Sequence, residues 1–120
     1  MPNDILRREA ERLRNLSESC AQQGDYSTAR QLLKMVIEIE ESDILVTKEA
    51  LAADFHELGW ICYLLDAKQE AQQYLQLALD LRLSSVQQNH RHTQETAELL
   101  TKVMADMGVV KPNIDCRTSH

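Results

Sequence analysis

Leu16, Leu58 and Leu100 stand 42 residues apart, and the same interval relates Cys20, Cys62 and Met104, and again Gly24, Asp66 and Gly108. A fixed period of that length means that one supersecondary unit is repeated along the chain. Such units must stack, because each has an apolar face that it cannot bury alone. The interval also pairs Ala29 with Ala71, Leu33 with Leu75 and Val36 with Ala78, so the repeated unit has a second half.

Within the unit the spacing is helical. Leu13, Leu16, Ser17 and Cys20 in the first copy, and Phe55, Leu58, Gly59 and Cys62 in the second, advance by three, one and three residues and fall on one core-facing stripe. A second stripe follows, Ala29, Leu32, Leu33 and Val36, matched by Ala71, Tyr74, Leu75 and Ala78, whose alanines let two helix backbones approach closely. The unit is therefore expected to be a helix hairpin, broken in the first copy at Gly24-Asp25. Thr47 and Asn89, again 42 apart, suit helix N-caps, because their side-chain oxygens accept orphan amide bonds. The second turn, Asp66-Ala67-Lys68, lacks a glycine. Gly108 is expected to end a fifth helix, and Pro112 with the polar residues after it leaves no room for a sixth. These signals divide the chain into one helical domain over 1–108 and a polar, flexible tail over 109–120.

Composition narrows the function classes. Apolar residues make up 43% of the chain and charged residues 27%, with three Gly and two Pro, which argues against disorder and against a turn-rich β fold. A net charge of −6 argues against nucleic acid as a partner, since such binders usually present a basic face. The cysteine count is odd, and Cys20 and Cys62 occupy equivalent core-facing positions, a pattern that fits reduced thiols better than a disulfide framework. Apolar runs such as Trp60 to Leu65 are too short for a signal peptide or a bilayer span. A soluble cytoplasmic protein is the expectation.

The run Phe55-x2-Leu58-Gly59-x2-Cys62, followed by Ala71-x3-Leu75 and Ala78, resembles the tetratricopeptide repeat, as does the first copy with Gly24-Asp25-Tyr26 at its turn. The resemblance covers roughly residues 10–108. The usual period in that family is about 34 residues, so this unit is longer by about two helical turns. It is similar to the long-helix variant of kinesin light chains, and Asn89 to Ala97 resembles the start of that variant's first helix. The resemblance implies an all-α superhelix of two tetratricopeptide-like hairpins and a fifth capping helix. It also implies an inner wall lined by helices one, three and five, a protein or peptide as partner, and no cofactor. Some members grip a C-terminal carboxylate with Lys, Asn and Arg on that wall. The matching positions here hold Arg14, Glu18, Glu57, Glu95 and Leu99, so that clamp is absent.

Helix three is apolar on two sides. Its core set is Leu51, Phe55, Leu58, Cys62 and Leu65, and Trp60 lies about 160° from the centre of that set. Ala53, His56, Trp60, Tyr63 and Leu64 follow one another by helical steps on this second face. Either a neighbouring helix covers them or they form a groove for an amphipathic helix or extended peptide. In the groove reading Arg14 and Glu18 from helix one, and Glu95, Glu98 and Lys102 from helix five, flank the aromatic stripe. A competing reading is a homodimer built on the outer face of helix four and on Ile44-Leu45-Val46 and Val109-Val110.

Other chemistry is not expected. His90-x-His92, even joined by Cys116 or His120, is too small a ligand set to predict a metal. Glu38, Glu40, Glu41 and Asp43 crowd a helix end, where solvation is the expected state. No phosphate-cradling loop, nucleophile elbow or zinc-protease helix occurs, so no catalytic residue is assigned.

Overall fold

The computed structural model describes residues 2–85 and 89–108. Five helices follow one another: α1 (Pro2–Gln22), α2 (Tyr26–Glu41), α3 (Lys48–Leu64), α4 (Lys68–Ser84) and α5 (His90–Asp106). The tail from 109 to 120, with Val109-Val110, Cys116 and His120, lies outside the described residues.

The expected caps form. Thr47 Oγ1 accepts from the Ala50 amide at 3.1 Å, and Asn89 Oδ1 accepts from the His92 amide at 3.2 Å. Asp25 does the same for α2, accepting from the Thr28 amide at 3.2 Å. The two hairpin turns share one geometry despite their different residues. The Asp25 amide donates to the Cys20 carbonyl and the Ala67 amide to the Cys62 carbonyl, each at 2.8 Å. Gly24, Asp66 and Gly108, the equivalent residues of the three copies, all take positive φ, at 83°, 63° and 84°. Asp66 thus holds a conformation that costs a residue with a side chain roughly 1 kcal/mol, and aspartate is among the few that adopt it readily.

α1 pairs with α2 and α3 with α4 as hairpins, α2 packs on α3, and α5 packs on α4. Ala29, Val36, Leu33, Leu75 and Ala78 are buried between them, as the matched stripes require. α5 supplies Thr96, Leu100, Val103 and Met104 to cover α4. Leu51 and Leu65 sit only partly buried at the edge of this core.

Leu16 departs from expectation: it is 42% exposed, whereas its equivalents Leu58 and Leu100 are buried. The repeat explains the difference. In α3 both Phe55 and Gly59, on the side of the hairpin mate, and Asp54, Leu58 and Ile61, on the side of the preceding hairpin, are buried. In α1 the mate-side equivalents Leu13 and Ser17 are buried, but Arg12, Leu16 and Ser19 are exposed, because among the described residues no helix precedes α1.

Cys62 is fully buried and Cys20 half-buried. Burial, with Glu70 adding to it, pushes the Cys62 thiol up to about 11. The thiolate is the reactive form, so iodoacetamide at pH 8 is expected to leave Cys62 unmodified in the folded protein and to alkylate it in denaturant. Peptide mass spectrometry checks this.

Candidate partner-binding groove

The 42-residue correspondence sets the inner wall out in rows across α1, α3 and α5. Arg14, His56 and Glu98 form one row, and Glu18, Trp60 and Lys102 another. α3 is the middle helix, buried against α2 on one side and α4 on the other, so only a narrow strip of it reaches the wall. Trp60 and Leu64 lie on that strip, each 38% exposed, with Ala53 exposed two helical turns before Trp60. The neighbouring helices do not bury Trp60.

The aromatic pair is held from the α5 side. Trp60 and Tyr63 meet with ring centroids 6.0 Å apart at a 36° tilt. The Lys102 ammonium sits 6.0 Å from the Tyr63 ring centre, within reach of a cation–π attraction. The Tyr63 hydroxyl donates to the Asp106 carboxylate, and that hydrogen bond raises the phenol above its ordinary value.

At the N-terminal end of α3 the wall carries a polar chain of bonds. Arg82 Nη1 donates to Thr96 Oγ1 at 2.9 Å and to the His92 carbonyl at 2.6 Å, and His56 Nδ1 lies 2.9 Å from the same Thr96 hydroxyl. Burial, helped by the charge of Arg82, lowers the His56 pKa from its ordinary value. His56, Arg82 and His92 line a cavity of about 460 Å³ with Ala53, Glu57 and Glu95.

Arg14 is on the wall but committed. Its guanidinium donates to Asp54 at 3.0 and 3.2 Å and to Glu40 at 2.5 Å, tying α1 to both α2 and α3. Glu40 is therefore buried rather than solvated, and Asp43 is held by Arg7 at 2.7 Å; only Glu38 and Glu41 of that acidic run stay exposed. Sequence spacing gave no notice of this cluster. Its partners lie 26 and 40 residues from Arg14, and the one local sign was an aspartate between Leu51 and Leu58 on a helix that turns out to be buried on that side as well. Arg82 was missed because it belongs to an outer helix and reaches the wall only from the last turn of α4.

Glu18 and Glu57 line the cleft between α1 and α3, about 200 Å³ in volume, with Ala21, Ala53 and Ile61. Glu95 and Glu98 stand exposed on α5, Glu98 accepting from Gln94 at 3.1 Å. Among the described residues no group of three His, Cys, Asp or Glu side chains is placed to hold a metal ion, and no helix is long and apolar enough to cross a membrane.

Stacked helix hairpins with a curved wall of first helices define a helical repeat protein. The chain belongs to the tetratricopeptide repeat family, which it matches over residues 9–84, the two complete hairpins. Repeats of this family mediate protein–protein interactions. No curated protein is similar enough to the chain to stand as a relative.

Proposed function

We propose that this chain is a non-enzymatic interaction module, an adaptor or scaffold of the cytoplasm, that holds a peptide or helix of a partner protein against the wall of α1, α3 and α5. The groove consists of Ala53, Trp60, Tyr63 and Leu64 on the floor, Arg14 and Glu18 on the α1 side, and His56, Glu98 and Lys102 on the α5 side. The observation that carries this reading is the exposure of Trp60 and Leu64 on a helix otherwise buried on two sides. An aromatic side chain left open in the middle of a concave face is the kind of anchor on which binding energy concentrates.

Trp60→Ala is expected to weaken partner capture at least about tenfold, the loss that roughly 1.4 kcal/mol of an anchor's contact corresponds to. Helicity and melting temperature should stay close to those of the parent. Capture from native lysate, read beside circular dichroism, checks this, and a protein that unfolds instead would place Trp60 in the core.

A second reading is a homodimer. It is favoured by Ile44 and Leu45, which are 94% and 67% exposed in the α2–α3 loop, and by Met35 and Leu77 on the outer helices. Sedimentation at several concentrations separates the two, since a monomer at every concentration excludes self-assembly.

A further inference from the structure

We infer that the segment held in the groove is basic: a lysine or arginine side chain seats between Glu18 and Glu57, and an aromatic or aliphatic neighbour packs on Trp60 and Leu64. This rests on the groove reading above and specifies its ligand.

The balance of charge on the wall carries the inference. Among the described residues lining the cleft the one cation is Arg14, and the Asp54 carboxylate already neutralises it, with Glu40 bonded beside it. Glu18 and Glu57 share the cleft without an ion pair among the described residues. They also feel one another: Glu57 is held above its ordinary value first by loss of surrounding water, then by Glu18 and by Asp54. A carboxylate already raised by its neighbours is one that an incoming cation relieves. Beside it stands Trp60, whose face can accept the same cation or the apolar residue next to it.

The α5 side does not reverse the sign. Lys102 is engaged with the Tyr63 ring, and Arg82 is tied to Thr96 and a carbonyl, while Glu95 and Glu98 add two carboxylates and Glu49 a third at the end of the wall. Arg91 meets Glu95 only at 3.4 Å and is itself 85% exposed, so water screens that pair. A net charge of −6 over the whole chain extends the same preference outward and favours encounter with a cationic segment.

The test is a selection of displayed random dodecapeptides on the full chain. Enriched peptides should carry Lys or Arg beside an aromatic or aliphatic residue. They should shift the emission of Trp60, the chain's only tryptophan, and weaken with added salt. The Glu18→Lys/Glu57→Lys double variant, both positions being exposed, should bind them about tenfold or more weakly, as loss and reversal of close charge pairs implies. Enriched peptides that are acidic or neutral, ignore the double variant and yet shift Trp60 emission would overturn the basic ligand and leave the groove standing. Peptides that bind without moving Trp60 emission, or no enrichment at all, would overturn both.

Discussion

Gly59→Leu is expected to abolish cooperative folding, and Gly59→Ala to cost roughly 1–2 kcal/mol although alanine is the better helix former. A Cβ on Gly59 meets Leu75 Cγ at 2.6 Å, Leu75 Cδ2 at 2.8 Å and the Ala71 carbonyl oxygen at 3.3 Å. Leu75 Cγ is a branch point near the backbone, in a fully buried side chain, so it cannot swing clear. α3 and α4 must part, and the gain of about 1 kcal/mol from replacing a mid-helix glycine is spent against that strain. The first hairpin supplies the control. Ser17 occupies the equivalent place, and its hydroxyl donates to the Ala29 carbonyl at 2.9 Å, the equivalent of the Ala71 carbonyl, while Leu33 stands where Leu75 does. Gly59→Ser can therefore recover a hydrogen bond once the helices adjust, and should lie between the parent and Gly59→Ala. Urea unfolding of the three variants, followed by far-ultraviolet circular dichroism, measures the order; a Gly59→Leu protein as stable as the parent would show that the close approach of α3 and α4 is not needed.

The same comparison of copies shows why the fold was legible and part of the wall was not. Helices, caps and hairpin turns are local, so periodicity, Thr47, Asn89 and the 24, 66, 108 series located them, including a left-handed Asp66 where no glycine marked the turn. Burial of α3 on its mate side was legible because Phe55 and Gly59 repeat the places of Leu13 and Ser17. Its burial against α2 was not, because that face holds Asp54, a residue that reads as surface until Arg14 and Glu40 are seen on it. Leu16 failed in the other direction: its register is that of Leu58, but a repeat position is buried only where a neighbour covers it, and the spacing within one helix does not say whether one does. For the groove, the position of Trp60 away from its own hairpin was legible from helical angle alone. Whether α1 and α5 closed over it depended on how the hairpins stack, which is set by packing contacts and bonds between residues far apart in the sequence.

Removal of Arg14 is expected to cost about 3 kcal/mol at pH 8, the lower end of the range for breaking a buried ion pair, because water still reaches one side of the guanidinium. Arg14→Met keeps the aliphatic stem but leaves Glu40 and Asp54, buried to within 8% and 6%, facing each other without a cation. Glu40 Oε1 already lacks a hydrogen-bond partner within the protein. Burial and the adjoining Asp54 push the Glu40 carboxyl up to about 8, against 4.5 for the free side chain, even with Arg14 in place. The folded state thus binds a proton that the unfolded chain releases, so this group's contribution to stability is full below about pH 4.5 and is lost as the pH rises towards 8. In Arg14→Met the carboxyl rises further, so variant and parent lose stability in parallel between about pH 4.5 and 8, and the variant should fall further behind only above about pH 8, where Glu40 of the parent ionises beside Arg14 and that of the variant does not. Glu40→Gln supplies a neutral side chain of the same shape with no proton to take up: alone it should leave stability near pH 4.5 little changed and raise it above the parent at pH 7, and in the Arg14→Met background it should remove the loss that grows with pH. Denaturant unfolding of the single and double variants at about pH 6 and about pH 10 measures each term, and an equal penalty for Arg14→Met at both would show that packing of the stem, rather than the buried carboxyl pair, is what Arg14 supplies.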